Sequence, residues 1–307
     1  MSFTTGMTTT AQVDDSIKLA FGQSFIIAAG QLSNIDAVVT VKEQLFAKSI
    51  QFPKYTRLTV DDSALTEDTD PDSTAVADAA VLITPREFGQ TVQRTKLASI
   101  QTGGMLDSAL PVLVGLAAGE KNDRVALTVM KAGTNTITAN NVTYTSLAAT
   151  DVMSRTMLNA AYNKLSRNSV QKINGSYWAI LHDDVIHDLR ADATASSWTD
   201  VNKYSDPTTA LSNEVGMMGG FRILRNNFCQ IVADEGAGSV DNYYSYFLGF
   251  NGLGKAVSEP TGMSITGPFD KLGRYVNVGY YGVYDFSIVD TAACVKGISA
   301  SSVGANS

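Results

Sequence analysis

The stretch between Arg57 and Arg86 carries seven acidic residues and no basic one, and strand-like segments flank it on both sides. The acidic residues are Asp61, Asp62, Glu67, Asp68, Asp70, Asp72 and Asp78. The outgoing flank, 49–60, and the returning flank, 80–92, have the apolar and β-branched residues typical of strands. This pattern predicts a long two-stranded hairpin with a charged tip. Because isolated hairpins are marginal in water, we expect it to pack on another subunit.

Composition narrows the possible functions. The chain has 307 residues, of which 44% are hydrophobic and 17% charged, enough for a sizeable core. Its net charge of -7 argues against a surface built mainly to hold nucleic acid, since phosphate binding needs clustered lysine and arginine. Cys229 and Cys294 lie in apolar, strand-like runs and are predicted to be buried free thiols, as in a cytosolic protein. We expect neither a secretion signal nor a membrane anchor.

The first 47 residues are interpreted as an N-terminal arm. Residues 1–13 show no periodicity, and we expect them to be flexible. Ile17, Phe21 and Phe25 then recur every four residues, which predicts a helix. Residues 36–46 are compatible with either a strand or a helix.

A long helix is predicted from Met105 to Lys131, because apolar residues recur there at three- and four-residue spacing. Its middle has a polar face that includes Asp123 and the i,i+4 pair Glu120 and Arg124. Pro111 is expected in the first turn, since a proline deep in a helix costs about 3 kcal/mol. The expected N-cap is then Asp107 or Ser108, and Gly133 is the expected stop.

The rest of the chain is predicted to alternate between helices and strands and then to become β-rich. Residues 134–145 favour a short hairpin, and a helix capped by Thr150 or Asp151 follows. The continuous apolar run 177–181 is typical of a strand that is covered on both faces, and Pro207 is expected to start another helix. From Tyr275 onward the pattern predicts a long bent strand that leaves one sheet and enters another.

Two short motifs have spacings that resemble chemical sites. Gly249–Ala256 has the spacing of a phosphate-binding loop, but Ala256 lacks the hydroxyl that would bind Mg²⁺ and no helix can follow directly, so we favour a glycine-rich turn between strands. His182–Asp188 contains both histidines of the chain, five positions apart, which is the wrong spacing for one metal on a helix. Helix capping by Asp183 and Asp184 explains its acids more simply.

The acidic tip of the hairpin could also hold Ca²⁺, because carboxylate oxygens suit hard cations. Its Asp68–Asp72 run lacks the order of an EF-hand loop and has Pro71 where flexibility is needed. A solvated or partner-paired acidic surface is therefore the favoured interpretation. We expect no catalytic residue, no cofactor and no bound metal.

Four sets of residues follow one another along nearly the whole chain. They are 63–72 with the later Phe88-Gly89 pair, a glycine turn into a strand at 216–224, a glycine-rich turn at 252–256, and 270–274 leading into 278–283. In this order they resemble segments of the major capsid (coat) proteins of tailed double-stranded DNA bacteriophages, which have the Hong Kong phage capsid fold. The first set is similar to the tip of the family's extended loop, the two glycine turns are similar to turns of the family, and the last set is similar to its closing strand.

The resemblance implies an α+β fold with five parts. These are an N-terminal arm (1–47), an extended hairpin loop (48–96), a peripheral domain with a long spine helix (97–149 and 254–283), an axial α/β domain (150–253 and 284–300) and a flexible tail (301–307). The implied function is that of a structural subunit, not an enzyme. Copies of it would self-assemble as pentamers and hexamers into an icosahedral shell around the phage genome.

The implied partners are other copies of the chain, the portal, and scaffolding or decoration proteins. Packaged DNA would lie against the inner wall without sequence-specific binding, no membrane would be involved, and assembly would take place in the host cytoplasm. The implied intersubunit contacts of the hairpin loop are Lys54, Arg57, Asp61, Asp62, Glu67, Asp68, Asp70 and Asp72. Those of the N-terminal arm are Phe21 and Phe25. We do not predict covalent cross-linking through Lys54.

The sequence is also compatible with three alternatives. The same fold builds encapsulin-like nanocompartments, which enclose an enzyme. A nucleotide- or metal-dependent cytoplasmic enzyme would use 249–255 or 182–188. A decoration or adhesion protein would explain a β-rich chain, although it would not explain a long helix in the middle.

Overall fold

The computed structural model describes residues 22–30, 33–55, 78–191, 214–268 and 270–303, together with positions 58, 60, 62, 64, 67–68, 70 and 73–76. The helix predicted to start at Pro207 and the arm residues Ile17 and Phe21 lie outside the described residues. The described α-helices are α1 (22–30), α2 (Lys96–Gln101), α3 (Met105–Lys131), α4 (Arg155–Arg167) and α5 (Asp183–Ala191). Short 3₁₀ turns occur at Ile35–Ala37, Ala139–Asn141 and Tyr144–Ser146.

Within the described residues, thirteen strands form three sheets. The strands are β1 (Thr40–Glu43), β2 (Ile50–Tyr55), β3 (Asp78–Ile83), β4 (Arg86–Thr95), β5 (Thr136–Thr138), β6 (Tyr177–Leu181), β7 (Glu214–Met218), β8 (Phe221–Arg225), β9 (Ile231–Val232), β10 (Asn242–Leu248), β11 (Leu253–Thr266), β12 (Tyr275–Ile288) and β13 (Cys294–Ser299). The sheet orders are β1-β11-β12-β4, β5-β13-β10-β6-β8-β7 with β9 beside β10, and β2-β3.

The largest core surrounds the seven-stranded sheet. Every residue of β6 and β10 is buried, as expected of strands that are covered on both faces. Helix α4 contributes Met157, Leu158, Ala161 and Leu165 to this core, and α5 contributes Val185, Ile186 and Leu189. The predicted strand at 177–181 is thereby confirmed, and Cys229 and Cys294 are free and buried, as predicted.

The second core lies between α3 and the four-stranded sheet. Leu110, Val114 and Ala118, one turn apart on α3, pack against Val278 and Tyr280 of β12. This three- and four-residue spacing is the signal that predicted the helix, and both helix bounds are confirmed. The predicted pair of Glu120 and Arg124 is also formed, at 2.7 Å.

Helix α1 crosses α3 at two glycines. A Cβ atom on Gly115 would lie 2.6 Å from the carbonyl oxygen of Phe25, and one on Gly119 would lie 2.5 Å from that of Ala29. Neither distance is possible for a real side chain, so only glycine allows this close approach. Gly115 and Gly119 therefore allow α1 to pack directly against α3.

The prediction for Pro111 was wrong. Helix α3 begins six residues earlier, at Met105, after Gly103 and Gly104 turn the chain with φ of 61° and 82°. Pro111 therefore lies inside the helix, where it leaves the carbonyl of Asp107 without its usual helical donor. The proline ring is buried, so its packing offsets part of that cost.

The predictions for 134–154 were also wrong in part. Strand β5 does not form a hairpin: it pairs in parallel with β13, and the following residues form the two 3₁₀ turns. The cap of α4 is Ser154, whose hydroxyl accepts from the amide of Met157 at 3.4 Å, and neither Thr150 nor Asp151 caps the helix. Residues 36–46, left open between helix and strand, contain the end of one 3₁₀ turn and then β1, which runs parallel to β11.

Two sheet assignments differ from expectation. The returning flank of the hairpin is split: β3 pairs with β2, whereas β4 leaves the hairpin and pairs with β12. Strand β12 does not change sheets, because it pairs with β11 as far as Ile288, and β13 enters the seven-stranded sheet instead. The glycine-rich segment 249–252 is the turn between β10 and β11, as favoured from the sequence.

Gly119→Val tests the close packing of α1 against α3. The new side chain would meet backbone atoms of Ala29, which cannot rotate away, so α1 has to shift. We expect the free energy of unfolding to fall by about 1–3 kcal/mol in urea denaturation. The matched control is Gly22→Val on α1, where nothing lies within 4 Å of the added Cβ. Equal stability of the two variants would contradict the close packing.

Candidate intersubunit surfaces

The base of the hairpin is anchored on its own subunit. Strands β2 and β3 pair from Ile50 opposite Ile83 out to Tyr55 opposite Asp78. Ile50, Phe52 and Ile83 are buried and pack against residues of β11 and of the segment that follows β12. The ladder therefore begins at buried residues of the subunit and ends at Tyr55, whose surface is 68% exposed.

Lys54 has an intrachain partner. Its ammonium lies 2.8 Å from the Asp290 carboxylate, and both side chains are partly exposed. A surface ion pair of this kind contributes about 1 kcal/mol or less. The structure thus places Lys54, expected as an intersubunit contact, against its own chain.

Beyond the ladder, the described positions of the hairpin are exposed. They include the acidic residues Asp62, Glu67, Asp68 and Asp70. They also include apolar side chains, with Leu58, Val60 and Val76 exposed by 48%, 68% and 60%. We call positions 58–76 the hairpin tip. Arg57, Asp61 and Asp72 lie outside the described residues.

The structure places Phe25 inside its own subunit. Its side chain is buried between α1 and α3, beside Leu110 and Val114. The opposite face of α1 carries Ile26 and Ile27, which are 68% and 65% exposed. Of the two arm residues expected to contact a neighbour, Phe25 thus has an intrachain role and Phe21 is not among the described residues.

A buried carboxylate joins three parts of the chain. Asp123 of α3 is fully buried and accepts hydrogen bonds from Ser33 Oγ at 3.1 Å, Asn34 N at 3.2 Å and Asn226 Nδ2 at 2.6 Å. Burial raises the pKa of Asp123 to about 6, although these hydrogen bonds oppose the rise. The sequence placed this residue on a polar face, because periodicity alone does not show that the chain before β1 covers it.

Lys255 contacts the chain segment before β1, which also contacts Asp123. Its Nζ lies 2.7 Å from Asp36 Oδ2, and it sits over the rings of Tyr284 and Phe286 at 5.3 and 5.4 Å from their centroids. The lysine of the loop-like motif at 249–256 therefore ties β11 to the chain before β1. Strand β11 follows the motif, so no helix N-terminus is available to face a phosphate.

The segment 182–188, which contains both histidines, includes the start of helix α5. His182 Nδ1 accepts from the amide of Asp184 at 3.2 Å, so the cap that was assigned to Asp183 or Asp184 is made by His182. Asp183 binds Arg225, and Asp184 accepts from the Tyr243 hydroxyl. Among the described residues, no three histidine, cysteine or carboxylate side chains are placed to share a metal ion.

None of the described helices combines the length and apolar character that a bilayer crossing requires.

Comparison with known proteins gives one family and many similar structures. A family model described as phage capsid protein matches residues 78–297. No curated protein matches the chain. The capsid of Ralstonia phage GP4 is similar, with a TM-score of 0.72 and 12% identity over 89% of this chain and 92% of that chain. The head structure of Helicobacter pylori bacteriophage KHP40 has a TM-score of 0.63 and 14% identity, over 88% and 90% of the two chains.

A virus-like particle from Pyrococcus furiosus is also similar, with a TM-score of 0.57 and 11% identity over 90% of this chain and 97% of that chain. At these identities the similarity concerns the fold.

Asp123→Asn tests the buried carboxylate. The folded-state pKa of Asp123 lies above its ordinary value, so its contribution to stability is largest below about pH 4 and is lost as the pH rises through about 6. Between pH 4 and 7.5, the wild type should lose up to about 3 kcal/mol of unfolding free energy relative to the variant. Urea denaturation of both proteins at each pH measures this difference, and other carboxylates cancel in it. A difference that does not change with pH would contradict the assignment.

Proposed function

Since this chain belongs to the phage capsid protein family, whose model matches residues 78–297, we propose that its copies assemble into an icosahedral shell of pentamers and hexamers around a double-stranded DNA genome. As a member of that family it is a structural, shell-forming subunit of phage capsids with the Hong Kong phage-type fold. The arrangement in pentamers and hexamers, the enclosed genome and assembly in the host cytoplasm are parts of the proposal.

The observation that carries the proposal is the exposure of the described hairpin positions beyond the paired base. Its base is held by Ile50, Phe52 and Ile83, but the described positions of the hairpin tip are exposed. Exposed apolar side chains on a ribbon without a second layer favour burial against another protein surface. In a shell that surface is a neighbouring subunit.

We propose the following roles for the parts of the chain. The arm (1–47) and the hairpin contact neighbours, the four-stranded sheet with α3 forms the peripheral domain, and the seven-stranded sheet with α4 and α5 forms the axial domain. Strand β4 belongs to the peripheral sheet, so we limit the hairpin to 48–85. Strand β12 pairs with β11 to Ile288, so we extend the peripheral part from 283 to 288. The end of the chain, 301–307, is assigned to neither domain.

The proposed contact residues follow from exposure. On the hairpin tip they are Asp62, Glu67, Asp68 and Asp70, with Arg57, Asp61 and Asp72 added from the sequence. On the arm we propose Ile26 and Ile27, because Phe25 is buried in its own subunit. The portal and scaffolding or decoration proteins are further proposed partners. Packaged DNA would touch the inner wall without sequence readout.

A nanocompartment shell is the second candidate, because the fold is also that of the Pyrococcus furiosus virus-like particle. The genome shell is favoured because the matching family is that of phage capsids. Nucleic acid inside particles that are isolated from infected cells would support the genome shell. An enclosed protein cargo without nucleic acid would support the nanocompartment.

Replacing residues 56–77 by Asn-Gly tests the role of the hairpin. Tyr55 and Asp78 are a directly opposed pair, so a two-residue turn closes the ladder and keeps its buried base. We expect a folded, soluble subunit that no longer forms closed shells in electron microscopy, whereas the wild type does.

The control replaces 56–77 with a glycine-serine segment of equal length, which separates the loss of contacts from the loss of length. An unfolded short-turn variant would mean that the hairpin serves its own core. Normal shells from it would refute the proposed role.

A further inference from the structure

The chain contains two Asn-Gly pairs, Asn174-Gly175 and Asn251-Gly252. An asparagine that precedes glycine is chemically reactive, because the backbone nitrogen of the glycine can attack the side-chain amide carbon of the asparagine. Glycine has no side chain to block this approach and gives the backbone the freedom that the attack needs. The two pairs are equivalent in sequence, but the structure places them in different surroundings.

Asn174-Gly175 forms an exposed turn. The turn connects Ile173 and Ser176, whose backbone groups exchange hydrogen bonds of 3.0 and 3.2 Å. Both turn residues have left-handed backbone angles, with φ of 50° for Asn174 and 85° for Gly175, as in the tight hairpin turns that favour Asn-Gly. Both are exposed, and nothing lies within 4 Å of a Cβ atom built on Gly175. Within the described part of the chain, neither the Asn174 side chain nor the Gly175 amide has a hydrogen-bond partner.

Asn251-Gly252 is held closed by its neighbours. Asn251 Oδ1 accepts a hydrogen bond from the Thr40 hydroxyl at 3.0 Å, which fixes the side chain against β1. The amide of Gly252 donates to the carbonyl of Gly249 at 3.1 Å. Gly252 is buried, and a Cβ atom on it would lie 2.6 Å from the carbonyl oxygen of Ala293. The side chain and the backbone nitrogen that would react are therefore both engaged.

We propose that Asn174 is a site of spontaneous deamidation and that Asn251 is protected from the same reaction. At Asn174 the Gly175 nitrogen bonds to Cγ, the bond from Cγ to the side-chain nitrogen breaks, and that nitrogen leaves as ammonia with the proton of the Gly175 amide. Water then opens the resulting succinimide ring at either carbonyl, giving aspartate or isoaspartate. Water is the only co-reactant, and the inference is independent of the proposed shell function.

The difference between the two sites is one of local opening. The reaction needs rotation of the backbone at the asparagine, which an exposed turn closed by one pair of backbone hydrogen bonds allows at low cost. Asn251 needs the same rotation, and it must also lose the hydrogen bonds to Thr40 and Gly249. At the usual net value of a hydrogen bond, breaking these two slows the reaction by roughly tenfold or more.

Deamidation would change both the charge and the backbone of the turn. It places a carboxylate two residues from Lys172, in a stretch from 152 to 182 that has four basic residues and no acidic one. Aspartate adopts left-handed conformations, so this product keeps the turn. Isoaspartate routes the backbone through the side chain and lengthens it, so the hydrogen bonds between Ile173 and the buried Ser176 can no longer form in the same way.

Peptide mapping of the purified full-length chain tests the proposal. The protein is kept in a mildly alkaline buffer, and mass spectrometry follows the mass gained when an amide NH₂ is exchanged for a hydroxyl in the peptides that contain each pair. Labelling by an isoaspartate methyltransferase identifies the isoaspartate product. We expect Asn174 to react at least about tenfold faster than Asn251. In urea the two rates should become similar, because unfolding exposes both pairs.

Thr40→Val tests the protection of Asn251 directly. The variant keeps the branched shape of the side chain but removes the hydroxyl that binds Asn251, so the rate at Asn251 should rise about fivefold while the rate at Asn174 stays the same. Thr40→Ser keeps the hydroxyl and is the control.

Two results would overturn the proposal. The first is equal rates at the two sites in the native chain. The second is no reaction at Asn174 in the native chain when it does react in urea. An Asn251 rate that is the same in Thr40→Val and in the wild type would overturn the assigned protection by Thr40.

Discussion

A two-stranded ribbon can bury its side chains only where another layer of protein lies against it. This constraint decides which described residues of the hairpin are buried within one subunit. The second layer exists at the base of the hairpin, where Ile50, Phe52 and Ile83 pack against the body. It ends at Tyr55, and the described positions beyond are exposed. Exposed apolar side chains at these described positions favour burial against another protein surface, which is the basis of the proposed contact with a neighbouring subunit.

Close packing joins α1 and α3 to the sheets of the same subunit. Helix α3 lies along β12, and α1 is set into α3 at Gly115 and Gly119. The carboxylate of Asp123 joins the chain before β1 to the residue after β8, so the two large sheets share one buried polar link. These contacts hold α1, α3 and the two large sheets together within one subunit.

The sequence predicted best what depends on local periodicity. The helix α3 and the buried strand β6 are confirmed, because the apolar spacing of both segments is a local signal. Residues 134–145 were misread because the partner of Thr136 is Lys296, 160 positions later, and a parallel partner at that distance leaves no local signal. Pro111 was expected in the first turn because a proline deep in a helix is costly. Gly103 and Gly104 instead set the helix start at Met105, six residues before it.

The site residues were harder to predict, for the same physical reason. The acidity and exposure of the hairpin tip can be read from the residues, but the burial of Phe25 and Asp123 depends on which segments cover them. The groove beside the hairpin base brings together residues near 54, 170, 250 and 290, which only the fold makes neighbours. The family resemblance predicted the architecture, and the structure was needed to separate intrachain contacts, such as Lys54 with Asp290, from surfaces left for a partner.

The most direct measurement is a cryo-electron microscopy map of the assembled shell at a resolution that traces the chain between Tyr55 and Asp78. The account predicts continuous density that leaves one subunit and lies on the adjacent one. Density that folds the hairpin back onto its own subunit in every position of the shell would contradict it.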